Sequence, residues 1–253
     1  MEFLARQMRL VLRLLRVAGV FAFAGIDHFV KGGKRWTPKE RSLWLQRSSR
    51  RMLRGLGFEV EAHGRIPEGG FVAPNHLSYM DIVVLASVAP QVFLSKAEVG
   101  KWPVVGYFTR IAGTLFIDRA RRSDVANKEV GFSQVIEAGV SMTFFLEGTS
   151  TDGRAILPFR SSLLEPVVRN RWPITPAYLK YECEGGDPAN DVCWWGDMGF
   201  GSHLIRMCKV KRIHATVIFG EQREPGSDRK ELAAELYSAV QELSRNLVVS
   251  ETV

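Results

Sequence analysis

The stretch Phe71-Val72-Ala73-Pro74-Asn75-His76-Leu77-Ser78-Tyr79-Met80-Asp81 decides how this chain is read. The apolar run 71–73 has the composition of a short buried strand, Pro74 ends it, and a helical pattern opens at Asp81 and continues to 88. In open α/β sheets, functional groups sit just past the carboxyl ends of strands, at the mouths of helices. His76 occupies such a position. A five-residue separation does not put His76 and Asp81 on one helical face. A turn at His76, however, lets the carboxylate fold back onto one imidazole nitrogen, which fixes the tautomer and leaves the other nitrogen to accept a proton. Taken alone the pair is weak, because the chain holds five histidines and nine aspartates and many histidines are structural. It gains weight because His28, His63, His203 and His214 have no aspartate at that spacing.

Outward from this stretch, short apolar runs alternate with longer helical patterns. Strands are expected over 58–62, 71–73, 92–95, 114–118, 141–146, 174–180 and 213–219. Helices are expected over 81–88, 102–111, 123–138, 161–168, 201–208 and 228–247. Alternation of this kind, with β-branched and aromatic strands, predicts a layered α/β/α domain on a mixed, partly parallel sheet. The polar, glycine-containing segment 182–191 reads as a surface excursion. A chain of 253 residues suffices for one such domain plus an appendage.

The appendage is basic. Residues 1–56 hold thirteen Lys and Arg against Glu2, Asp27 and Glu40, a net +10; the chain's total is +7, so residues 57–253 sum to −3. Arg6, Arg9, Arg13 and Arg16 form one stripe of a helix whose other positions are largely apolar. This pattern suits a helix lying in a lipid interface with arginine heads among phosphates. The uncharged run 17–26 has ten residues, against the roughly twenty needed to span a bilayer. Thr37-Pro38-Lys39-Glu40 has the pattern of a capping box with proline at the first helical position. It opens a second helix with Arg47, Arg50, Arg51 and Arg54 on one face. Segment 1–56 therefore reads as basic, membrane-associating helices and 57–253 as the catalytic domain. Two rival readings stand beside this. One is a signal peptide cleaved after Ala22-Phe23-Ala24, although arginines reaching position 16 leave little apolar length. The other is a helix pair packed on the protein's own core with solvated charges. Nucleic acid is not an expected partner, since neither interleaved aromatics nor a recognition-helix pattern occurs. Cys183, Cys193 and Cys208 are odd in number and match no zinc spacing, which makes them thiols of a reducing compartment.

Three further segments lie near strand ends: Gly113-Thr114-Leu115-Phe116-Ile117-Asp118-Arg119, Phe144-Phe145-Leu146-Glu147-Gly148-Thr149 and Trp172-Pro173-Ile174-Thr175-Pro176. Each alone reads equally well as an ordinary strand cap. In this order, after Asn75-His76 through Asp81, they resemble the motifs of the glycerolipid acyltransferase family, especially its 1-acyl-sn-glycerol-3-phosphate acyltransferases. The resemblance covers roughly residues 58–180.

It implies that His76 deprotonates the free hydroxyl of a lysolipid acceptor, 1-acylglycerol-3-phosphate in the first place, giving phosphatidic acid, and that Asp81 stabilises the imidazolium. The resulting oxygen attacks the thioester of acyl-CoA or acyl carrier protein. Arg119 would meet the acceptor's phosphate; Glu147, Gly148 and Thr149 would line its subsite, and Lys96 matches a basic family position. A covalent acyl-enzyme is not implied, in keeping with the lack of a Gly-x-Ser-x-Gly elbow. No phosphate-binding glycine loop, nicotinamide fingerprint or metal cluster is present in the sequence, so neither cofactor nor metal is expected. Membrane attachment at the cytoplasmic face, peripheral or monotopic, follows from the basic helices. At position 150 this chain has Ser where the family commonly has Arg. Arg154 and Arg160 are substitutes within reach along the chain, and a lyso-aminolipid such as lyso-ornithine lipid is an alternative acceptor. A catalytically silent lipid-binding module and a thioesterase are rivals of other classes: the first would bind vesicles without turnover, the second would hydrolyse thioester without an acceptor. Trp194 and Trp195 read either as core aromatics or as lining for an acyl channel or membrane contact.

Overall fold

A computed structural model of the chain describes residues 1–117 and 129–250. Within them, strands β1 (Phe58–His63), β2 (Phe71–Pro74), β3 (Gln91–Lys96), β4 (Leu115–Ile117), β5 (Ser141–Thr143), β6 (Ile174–Glu184) and β7 (Arg212–Phe219) form one sheet. Their spatial order is β1-β7-β6-β2-β5-β3-β4. Every neighbouring pair is parallel except β6 and β7. The expected mixed, partly parallel sheet is present.

The helices are α1 (Glu2–Val30), α2 (Pro38–Leu56), α3 (Met80–Val88), α4 (Val105–Ile111), α5 (Glu129–Glu137), α6 (Glu165–Arg169), α7 (Phe200–Lys209) and α8 (Arg229–Ser250). Two apolar cores follow from strand alternation. Val72 faces a core shared with α2, α3 and α7 through Leu53, Val84 and Met207. Phe71 and Ala73 face the opposite core, filled by Phe132 of α5, Val167 of α6 and Leu236 of α8. All four residues of β2 are buried, as a strand covered by helices on both faces must be.

Element boundaries differ from expectation at two helices where proline intervenes and at two strand ends. The helix expected over 102–111 starts only at Val105, because Pro103 precedes it and Val104 sits at φ 60, a strained region for a β-branched residue. The helix expected over 161–168 divides into a short turn, Ser161–Leu163, and α6, which carries a proline in its first positions. β5 pairs only over Ser141–Thr143, although the Phe144 N–H still reaches the Val72 carbonyl at 3.2 Å. β6 runs on to Glu184 and absorbs the start of the anticipated loop. Parts of the strand expected over 114–118 and the helix expected over 123–138 lie outside the described residues.

The N-terminal pair corrects one detail of the sequence reading. Arg13 is 4% exposed. Its guanidinium donates to the carbonyls of Val210 at 2.6 Å and Lys211 at 3.0 Å, and Arg9 donates to that of Lys209 at 2.7 Å. These carbonyls lie at and just past the end of α7, where the helix dipole and unpaired C=O groups favour cations. Arg9 and Arg13 are therefore spent on the protein's own backbone, not on lipid phosphates. The outward face of α1 is apolar instead: Phe3, Leu4, Met8, Leu12, Leu15, Ile26, Phe29 and Val30 are all exposed. The capping box of α2 forms as expected, with Thr37 and Glu40 bonding each other's backbone N–H. Gly57 ends α2 at φ 78, and a side chain there would meet the Arg13 guanidinium. Among the described residues, no helix is long and apolar enough to cross a membrane.

Candidate active site

Register assembles the site. Val72 of β2 pairs with Thr143 of β5, which pairs with Phe93 of β3. His76 and Glu147 each lie four residues past that level, so both emerge at the carboxyl end of the parallel strands. On the other side Val72 pairs with Thr175 of β6. Four residues on, the Asn75 side chain brackets the Leu179 backbone, accepting its N–H at 2.7 Å and donating to its carbonyl at 3.0 Å. The segment leaving β2 is thus pinned to β6 before His76 is reached.

His76 Nδ1 lies 2.8 Å from Asp81 Oδ2. The same oxygen accepts the N–H groups of Leu77 at 2.7 Å and Ser78 at 3.0 Å, and Oδ1 accepts the Tyr181 hydroxyl at 2.7 Å. Asp81 is fully buried. A carboxylate receiving three other donors is an acceptor towards Nδ1 as well, which leaves Nε2 unprotonated and able to take a proton. The imidazole stacks on Phe145, with ring centroids 3.9 Å apart and an interplanar angle of 17°. Its plane is therefore fixed by packing as well as by the hydrogen bond.

Glu147 braces the other side. Its Oε1 accepts the His76 N–H at 2.6 Å and its Oε2 the Leu157 N–H at 2.7 Å. Burial pushes its carboxyl up to about 7; the two amide bonds oppose the rise and nearby Asp81 adds to it. The His76 carbonyl accepts the Thr151 N–H at 3.0 Å. Both peptide groups of the histidine are thereby held by the segment that follows β5. Among the described residues, no group of three or more His, Cys, Asp or Glu is placed to hold a metal ion.

The family described as Acyltransferase matches residues 57–180, the span that carries this arrangement. The chain is 33% identical to a lyso-ornithine lipid O-acyltransferase of Rhodobacter capsulatus, over 94% of its own length and 90% of the relative's. The chain belongs to the glycerolipid acyltransferase family. A lyso-ornithine lipid O-acyltransferase of Pseudomonas aeruginosa is 32% identical over 92% of this chain and 93% of its own. A 1-acyl-sn-glycerol-3-phosphate acyltransferase of Neisseria meningitidis is 29% identical over 72% of each. The fold is that of the crystallised 1-acyl-sn-glycerophosphate acyltransferase of Thermotoga maritima, with a TM-score of 0.72 at 18% identity over 98% of both chains.

Of the remaining residues anticipated for this acyltransferase, Lys96, Gly148 and Thr149 lie at or just past the carboxyl ends of β3 and β5. Lys96 ends β3 and is exposed, paired in register with Ile117 of β4. Two strand spacings, roughly 10 Å, separate β3 from β2. Arg119 lies outside the described residues. Gly148, at φ 81, packs so closely on the Arg160 guanidinium that a Cβ would come within 3.1 Å of it; Thr149 is exposed. The Ser150 hydroxyl donates to the Trp194 carbonyl. Of the two substitutes for the family arginine, Arg154 pairs with Asp152 at the surface, whereas Arg160 lies against Gly148.

Sequence reasoning missed Tyr181, Phe145 and the Tyr79 cluster. Tyr79 donates or accepts at His203 Nδ1, 3.0 Å away, and its ring meets Trp194 and Phe200; Trp102 touches both of these. Trp194 thus belongs to a packed aromatic group beside the histidine segment, where its backbone N–H donates to the Leu77 carbonyl at 2.8 Å. Trp195 faces outward, 38% exposed. Strand alternation in β6 marks Tyr181 as an inward residue, but nothing in the linear pattern marks its hydroxyl as aimed at Asp81.

Proposed function

We propose that this acyltransferase moves a fatty acyl group from acyl-CoA or acyl carrier protein to the free hydroxyl of a lysolipid, with His76 as general base. The observation that carries the reading is the 2.8 Å contact between His76 Nδ1 and a buried Asp81. Nε2 takes the hydroxyl proton as the acceptor oxygen attacks the thioester carbonyl. The new C–O bond forms, the C–S bond breaks, and the proton passes to the leaving thiolate. Asp81 holds the tautomer beforehand and stabilises the imidazolium as it appears. A lyso-aminolipid of the lyso-ornithine type is the favoured acceptor. Its support is the naming of the relatives matched over more than nine-tenths of this chain, together with Ser150, whose hydroxyl is committed to Trp194. Lysophosphatidic acid is the second reading, and Arg160 packed against Gly148 supports it by supplying a cation beside the anticipated phosphate subsite.

The exposed apolar face of α1 suits a protein that meets its amphiphilic acceptor at the cytoplasmic membrane surface. Purified wild type and His76→Ala should be compared with both lysolipids and both thioester donors. Wild type is expected to acylate lyso-ornithine lipid faster than lysophosphatidic acid, and His76→Ala to lose at least a hundredfold. Full activity of the alanine variant would remove His76 from the mechanism. Hydrolysis without acceptor dependence would make the protein a thioesterase.

A further inference from the structure

We infer that Tyr181 is a positioning residue of the dyad, tuning His76 through Asp81 without touching substrate. The inference rests on the reading of His76 as general base. Tyr181 is 5% exposed and lies on β6, on the face that packs against Phe58 of β1. Its hydroxyl donates to Asp81 Oδ1 at 2.7 Å. The carboxylate is therefore divided between two tasks. Oδ2 takes His76 Nδ1 and the N–H groups of Leu77 and Ser78, which fix its position. Oδ1 takes the phenol. The phenol's donated proton spreads the negative charge over both oxygens and weakens the field that Asp81 exerts on the imidazole.

The Asn75–Leu179 clamp makes the arrangement rigid. Asn75 immediately precedes the histidine and Leu179 lies two residues before Tyr181 on the same strand face. Phenol, carboxylate and imidazole are thus carried by two hydrogen-bonded strands and the segment that leaves one of them. Burial and the adjacent Asp81 hold the phenol firmly protonated, so it donates across the working pH range.

The other groups facing this cluster are few. Glu147 meets the His76 backbone from the segment after β5 and lies near Asp81; Cys193 and Tyr79 face the Tyr181 phenol, and Cys193, itself beside Asp152, also faces Asp81. None of these hydrogen-bonds Asp81 directly among the described residues. Removing the phenol hydroxyl leaves Oδ2 held by three donors and Oδ1 bare. Geometry survives while the charge on the imidazole's partner sharpens. The imidazolium is then favoured, and the base becomes protonated at a higher pH.

The test is Tyr181→Phe, which keeps the packing on Phe58, measured on the full chain in detergent micelles with lysolipid and acyl-CoA. The acid limb of kcat/KM is expected to move up by about half a pH unit or more. At neutral pH kcat should fall by up to about threefold with KM unchanged. The His76 imidazole, followed by NMR, should shift in the same direction. In an Asp81→Asn background, Tyr181→Phe should no longer move that titration. A titration that stays at the wild-type midpoint in Tyr181→Phe, or the same shift persisting without the Asp81 carboxylate, would overturn the inference. Because the NMR readout does not depend on turnover, an active His76→Ala variant would fail the base assignment separately.

Discussion

Glu147 is held by two main-chain amides and so resists conservative replacement. Each carboxylate oxygen accepts one N–H, from His76 and from Leu157. Glutamine turns one of those acceptors into a donor facing a donor. Glu147→Gln is therefore expected to lower stability by about 2–3 kcal/mol, the cost of stranding a buried N–H, as read by urea denaturation. The carboxyl also carries a pH signature. Its folded value of about 7 lies above the ordinary 4.5, so the folded state binds the proton more tightly than the unfolded chain. Its contribution to stability is complete below about 4.5 and is lost as pH rises to about 7, on the order of 3 kcal/mol in all. Wild type should lose stability relative to Glu147→Gln across that window. Parallel pH dependence of the two proteins would rule out this role.

At the scale of elements, α1 and α7 are joined end to face. Arginine on α1 supplies the cation that the last carbonyls of α7 lack, and the buried guanidinium of Arg13 satisfies Val210 and Lys211 together. Arg13→Ala leaves the buried Val210 acceptor without this donor, and a loss of about 1–3 kcal/mol is expected. Hydrogen exchange should rise along α1 and at the end of α7 while β2 keeps its protection. Exchange confined to the first turn of α1 would mean that the contact carries little. This junction also explains why the sequence alone put Arg9 and Arg13 among lipid phosphates. Lipid phosphates and helix-end carbonyls are both clusters of oxygen acceptors, and an arginine row of helical spacing suits either.

Across the whole molecule, the strands, the capping box and the central pairing of His76 with Asp81 were all legible, because each depends on patterns within a few residues. Strand order was not. Whether β1 lies beside β7 or beside β2 depends on covering surfaces that come together only in the folded chain. Ser150 and Trp194, 44 residues apart, and Tyr181 and Asp81, 100 apart, are invisible for the same reason. The exposed face of α1 likewise had to be seen in three dimensions: with Arg9 and Arg13 turned inward, an apolar side flanked by Arg6 and Arg16 is what remains outside. Leu4→Glu with Leu15→Glu replaces two side chains that are 72% and 64% exposed. Their effect on folding should stay within about half a kcal/mol, while co-sedimentation with lipid vesicles falls sharply. Undiminished vesicle binding would assign attachment to another surface.

The pairing of β1 with β7, and of Arg13 with residues 210 and 211, has a consequence for how the protein is made. The first helix and first strand wait for partners encoded about 150 to 200 residues later. At ordinary ribosome speeds that delay is roughly 10–40 seconds. Throughout it, the apolar side chains and arginines of α1 are without those partners, a composition that suits an interfacial helix. On the proposed reading of α1 as the membrane contact, attachment precedes the closing of the sheet, and the acyltransferase completes its site beside its acceptor.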